Sequence, residues 1–216
     1  MNAVNEKFTT KLETLSLDYA PIKAALNCIN TKDPWSHLHG VNVKFLPNYQ
    51  ARICSTNGSM LFIAVSEINL DISQSDYDFW VGTEITIPEH SIPKLANKTK
   101  YIEIEELTGD QWRIGNNLFS PLTMPFPDVS KVIPSQNELD QRTPMPAQFN
   151  YDYLMLGRKA LNECLGLKRT DNPFLEQFGD NVAIMHYPRV KNAQVLIMPQ
   201  RKERAVDFEA FPRSCI

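Results

Sequence analysis

The 216-residue chain lacks the short signatures that mark nucleotide-binding or hydrolytic enzymes. It contains no GxxxxGK followed by Ser or Thr, no GxGxxG, no GxSxG and no HExxH, so no phosphate loop, nucleophile elbow or zincin helix is written in it. Its four cysteines, Cys28, Cys54, Cys164 and Cys215, stand singly, and with no CxxC pair there is no support for a zinc ribbon or a thioredoxin-like site. They are expected to be reduced and mostly buried. No run of 18 apolar residues exists, which excludes a membrane-spanning helix. Residues 1–10 show no basic stretch followed by an apolar one, so no secretory leader is expected and the cytoplasm is the default compartment. Nor is there an excess of one charge: 22 Lys and Arg face 25 Asp and Glu, which excludes a histone-like basic chain and a disordered acidic one. At roughly 100–200 residues per domain, the length allows one large domain or two small ones.

The remaining candidates for chemistry are thin. His37 and His39 stand two apart on or beside a predicted strand, so both could face one side as a metal pair, yet no third ligand is evident. Asp76, Asp78, Glu103, Glu105 and Glu106 have no partner across a cleft that the sequence reveals, and they read as a solvated face. The expectation is a non-enzymatic protein without a cofactor. Charge is unevenly spread. Residues 1–141 carry 11 basic and 17 acidic groups, and residues 142–216 carry 11 basic and 8 acidic. The basic last third would suit nucleic acid or an acidic partner, or is an ordinary solvated surface.

Hydrophobic patterning gives an α+β chain. Residues 12–17 read as an extended segment, and Asp18 as the N-cap of a helix through Ile22, Leu26 and Ile29, with Pro21 in its first turn. Residues 38–46, 51–55 and 61–65 read as antiparallel strands separated by turn residues. The pattern then repeats, with a strand over 80–87, a short helix over 89–97, and strands over 101–107, 111–114 and 118–124. A Pro-rich connector follows. Residues 147–150 read as short and extended, residues 151–165 as the best helix of the chain with Gly166 as its stop, and residues 182–187 and 193–198 as a final strand hairpin. Three copies of one small module, one helix on antiparallel strands, account for the order.

Three stretches carry a resemblance. Ser55-Thr56-Asn57-Gly58-Ser59-Met60-Leu61 follows a predicted strand. Phe126-Pro127-Asp128-Val129-Ser130-Lys131-Val132-Ile133-Pro134 closes the second module, and Val195-Leu196-Ile197-Met198-Pro199-Gln200-Arg201 closes the third. In order and approximate spacing they resemble hallmark stretches of the bacterial DNA sliding clamp, the beta subunit of DNA polymerase III. The resemblance implies a shortened form. Residues 1–134 would be one complete clamp-like domain of two modules and 135–146 a connector. Residues 147–201 would be half of the next domain, and 202–216 a tail.

The resemblance also implies a function: binding short glutamine-led peptides, rich in Leu and Phe, from DNA polymerases or repair factors. Their cleft would use Leu38, Thr56, Gly58, Leu61, Pro127, Val132, Leu196 and Met198. It implies helices facing duplex DNA without sequence preference, with Lys23, Lys94, Lys98, Arg158 and Lys159 as phosphate contacts. It implies self-association into a ring; the module count suggests that two chains pair their third modules as a dimer and that two such dimers, a tetramer, supply the twelve modules of a ring. Two departures stand out. Ser59-Met60 replaces the His-Arg of the family pattern, and Gln200 replaces its second Met. Shortness leaves two alternatives open: an adaptor or decoy that captures clamp-binding partners without encircling DNA, and an unrelated α+β binding protein. Residues 206–211 of the tail, Val-Asp-Phe-Glu-Ala-Phe, lack a leading glutamine; they would be a weak cleft ligand or simply disordered.

Overall fold

The computed structural model describes residues 14–29, 31, 38–69, 73–96, 98–107, 110–134, 137, 148–178 and 182–200. The Cys215 thiol, His37, Leu12, the tail and nearly all of the connector lie outside them.

The alternating and β-branched runs form strands as expected. They are β1 (Leu15–Asp18), β2 (Gly40–Leu46), β3 (Gln50–Thr56), β4 (Met60–Asn69), β5 (Glu84–Pro88), β6 (Tyr101–Glu106), β7 (Trp112–Ile114), β8 (Asn117–Phe119), β9 (Phe174–Phe178), β10 (Val182–His186) and β11 (Ala193–Ile197). The helices are α1 (Tyr19–Ala25), α2 (Gln74–Asp78) and α3 (Tyr151–Cys164). All strand pairings are antiparallel, in the order β5-β2-β3-β4-β1-β6-β7-β8, and β4 also carries β11, then β10 and β9.

The first two modules exchange strands. β1 precedes α1 in the first module but lies against β6 of the second, from Leu15 opposite Ile104 to Asp18 opposite Tyr101. β5 opens the second module but lies against β2 of the first, from Gly40 opposite Pro88 to Lys44 opposite Glu84. Neither module could bury its strands alone.

One sheet face carries the main core. Met60, Phe62 and Ala64 of β4 and Val195 and Ile197 of β11 are buried there beneath α1 and α3. Gly157 lets α3 approach closely, since a Cβ at that position would lie 3.1 Å from Val195 Cγ1. Asn150 caps α3 by accepting from the Asp152 N–H (2.9 Å), and Gly166, at φ 63°, ends it as expected. Asp18 stands at the N-cap of α1, but its carboxylate accepts from the Ser66 hydroxyl (2.8 Å) instead of a helix N–H. α1 is also shorter than expected: residues 26–28 tighten into a 3-10 turn and Ile29 is extended.

Four further expectations need correction. The strand expected over 80–87 is confined to Glu84–Pro88; α2 and a turn precede it. Trp80 is instead a core residue, edge-on to Phe45 at 5.0 Å and Trp112 at 5.7 Å. The helix expected over 89–97 is a single 3-10 turn, Glu89–Ser91. Pro93 is the reason, because the residue before a proline is pushed out of the helical region and Ile92 is extended at ψ 116°. The second module therefore lacks the long helix of the repeat. The last strand of that module ends at Phe119 rather than Met124, and the third module has three strands rather than two, β9 being the addition.

Gly40 tests how tightly the exchanged strands fit. A Cβ there would sit 2.7 Å from the Ile87 carbonyl oxygen, which backbone pairing holds in place. Gly40→Ala is expected to cost about 1–3 kcal/mol, measured as a lowered denaturation midpoint.

Candidate peptide-binding groove

On the sheet face opposite the helices, a second apolar cluster forms. Cys54, Leu61, Ile184 and Leu196 make its floor, and Phe126, Val129, Val132 and Ile133 of the segment after β8 pack over it. Between floor and cover opens a groove of about 480 Å³. Leu38, Thr56, Gly58, Leu61, Pro127, Val132, Leu196 and Met198 all line it, together with Ser59, Met60, Phe126, Val129 and Val182. Every residue that the family resemblance assigned to a cleft therefore stands on one wall or another of a single groove. The expected set omitted Ser59, Met60, Phe126, Val129 and Val182. The first four lie within the quoted stretches, whereas Val182 lies outside them, at the start of β10.

The turn between β3 and β4 is held by its own side chains. Thr56 Oγ1 donates to the Met60 carbonyl (2.8 Å) and accepts from the Gly58 N–H (3.0 Å). Asn57 Oδ1 accepts from the N–H groups of Ser59 (3.0 Å) and Met60 (2.8 Å). Gly58, at φ 85°, takes the left-handed conformation that this turn requires. β11 then docks on β4 with Leu196 opposite Leu61, and the Met198 N–H donates to the Ser59 carbonyl (2.9 Å). Motif residues far apart in sequence meet for that reason.

The cover is pinned at Asp128, whose Oδ1 accepts from both the N–H (3.0 Å) and the hydroxyl (2.6 Å) of Ser130. These bonds hold its carboxyl below the ordinary aspartate value. Cys54, part of the floor, is a buried free thiol that burial pushes up to about 12, and burial also raises Cys28; both are poor nucleophiles.

The helix-side basic residues are less uniform. Lys23 on α1 reaches Glu163 of α3 at 4.0 Å, and Glu163 also accepts from Asn27 (2.8 Å). Arg158 is turned to backbone, donating to the carbonyls of Asp171 (3.2 Å) and Arg169. Lys159 is exposed on α3. Lys94 and Lys98 are exposed too, but they do not lie on or after a helix as expected. Lys94 sits in the strap that follows the 3-10 turn, which Tyr19 fastens through the Pro93 carbonyl (2.9 Å) and the Leu95 N–H (3.1 Å), and Lys98 stands in the turn just beyond it. Among the described residues, no three of His, Cys, Asp and Glu gather as a metal-binding group.

An α+β chain of strand-exchanging modules, with this groove where the first joins the third beneath the segment that follows the second, defines the class: the fold is the clamp fold. More specifically, it matches bacterial DNA polymerase III beta sliding clamps. The Bacillus subtilis sliding clamp superposes at a TM-score of 0.60 with 13% identity, covering 94% of this chain and 66% of that one. The beta subunit from Pseudomonas aeruginosa gives 0.60 with 12% identity, covering 94% and 69%. A Pseudomonas aeruginosa clamp bound to griselimycin gives 0.58 with 12% identity, covering 94% and 68%. The chain thus spans about two thirds of the length of the clamps it matches. No protein-family model matches it, and no curated protein matches it in sequence.

The Asp128 clasp makes a pH prediction. A carboxyl held below its ordinary value stabilises the cover at neutral pH, and that contribution is lost as pH falls through the folded-state midpoint. Carboxyl NMR titration is expected to find Asp128 below the ordinary aspartate value, and Ser130→Ala to bring it back up.

Proposed function

We propose that the groove receives short glutamine-led peptides, rich in Leu and Phe, from DNA polymerases or DNA-repair factors. The protein acts in this reading as a non-enzymatic clamp-like binding protein of the cytoplasm. The observation that carries it is the convergence of Leu38, the β3–β4 turn, Pro127, Val132, Leu196 and Met198 on one apolar groove. Such a groove suits Leu and Phe anchors, and the Ser59 hydroxyl stands at one end as a polar partner. In this reading residues 1–134 are a complete domain, 135–146 a connector, 147–201 a half-domain and 202–216 a tail. Among the described residues, no helix is long and apolar enough to cross a membrane.

The wider form of the reading is a ring of several chains that tethers its partners to duplex DNA. The narrower form is an adaptor or decoy that captures the same peptides without encircling DNA. One feature favours the narrower form. The second module's long helix is reduced to a 3-10 turn, and on the helices that remain Lys23 is paired with Glu163 and Arg158 is spent on backbone carbonyls. A continuous basic lining is what phosphate contacts require.

Fluorescence polarisation with a labelled peptide of this type tests the groove. Met198→Asp places a charge on the apolar wall and is expected to weaken binding about ten-fold or more, while Lys159→Glu on the opposite face leaves it unchanged. No binding by the unmodified protein would sink the reading. Retention on closed circular but not linear DNA would establish the wider form over the narrower.

A further inference from the structure

The strand exchange in the first two modules follows a fixed rule. Asp18, the residue just before α1, pairs with Tyr101, the first residue of β6. Pro88, just before the 3-10 turn of the second module, pairs with Gly40, the first residue of β2. Each lead-in segment also has a second neighbour. The Thr86 carbonyl, two residues before Pro88, accepts from the Leu122 N–H (3.0 Å), three residues past the end of β8.

The third module repeats that second contact at the same offsets. The Gln148 carbonyl, two residues ahead of Asn150 before α3, accepts from the Gln200 N–H (2.7 Å), three residues past the end of β11. Residues 148–150 are thus seated as a lead-in segment, as β5 is. Among the described residues, no strand plays the part for β9 that β1 plays for β6, and none plays the part for residues 148–150 that β2 plays for β5.

We propose that a second copy of this chain completes the exchange: residues 148–150 of each chain pair with β9 of the other about a two-fold axis, with the two α3 helices alongside. The rule fixes the register as Asn150 opposite Phe174, Phe149 opposite Leu175 and Gln148 opposite Glu176 of the second copy. The side chains around this edge suit an interface. Phe174 is 58% exposed, Leu175 41%, Met155 41% and Tyr151 70%. The charges are self-complementary as well. Asp152 and Lys159, both exposed, lie seven residues apart on the outer face of α3, on either side of Met155. Two α3 helices crossing antiparallel near Met155 set each Asp152 beside the other's Lys159. This inference rests on strand topology and goes beyond the groove reading.

Light scattering after size exclusion is expected to give twice the 24.7 kDa chain mass over a wide concentration range. Leu175→Arg and Met155→Arg, both at exposed positions, should each shift the mass to a single chain. Residues facing each other in an antiparallel pair lie about 4.5–5.5 Å apart at Cα, within disulfide reach. Mixing Gln148→Cys chains with Glu176→Cys chains and oxidising mildly should therefore give a covalent two-chain product that neither variant gives alone. A single-chain mass for the unmodified protein would overturn the proposal. So would a dimer that survives both arginine variants and gives no 148–176 cross-link. The Leu175→Arg chain should bind groove peptides within about two-fold of the unmodified protein, because the sites are distant. Failure of peptide binding would thus leave the dimer result standing, and the reverse.

Discussion

The long strand β4 holds the molecule together. Along one edge it pairs with β3 from Leu61 to Glu67, and its other edge is divided. Met60 to Ala64 pair with β11, and Ile68 and Asn69 pair with β1. One ten-residue strand therefore joins all three modules: its own, the second through β1 and β6, and the third through β11. Its alternation serves both faces. Phe62 and Ala64 go under the helices, and Leu61 and Ile63 go to the groove side. A one-residue slip of β11 against β4 would exchange Leu196 with its neighbours, removing a groove wall and a core layer together. Fold and groove are thus fixed by the same register.

Much of this was legible in the sequence where local chemistry decides. Alternation marked most strands, and Asn150 and Gly166 bound α3 as its sequence suggests. The failures share a cause, which is tertiary context. Trp80-Val81-Gly82-Thr83 has strand composition, yet Gly82 sits at φ 91° and Trp80 fills the space beside Phe45 and Trp112. Phe174 and Leu175 of β9 lie on opposite faces and are both exposed, so the usual inward-outward contrast was missing and β9 was overlooked. The helix expected over 89–97 is the one error with a purely local correction, because Ile92-Pro93 interrupts it in plain view.

The groove was legible for a different reason. No periodicity joins Thr56 to Pro127 or Met198; only the family resemblance grouped them, and β4–β11 pairing explains why they meet. The basic residues fared worse because nothing local tells a solvent-facing lysine from one that faces a ligand. Lys23 is tied to Glu163, a contact that depends on α1 and α3 lying side by side, and Arg158 to carbonyls of the loop that folds back after α3.

Ser59-Met60, where the family pattern has His-Arg, then acquires a physical meaning. Met60 is buried under the helices, and the Ser59 carbonyl is spent on the Met198 N–H. Among the described residues, no charged side chain lines the groove. In the proposed reading, recognition there would rest chiefly on apolar anchors. A peptide bound in that reading would be selected by how well its apolar side chains fill the space between Leu61, Val132, Leu196 and Met198.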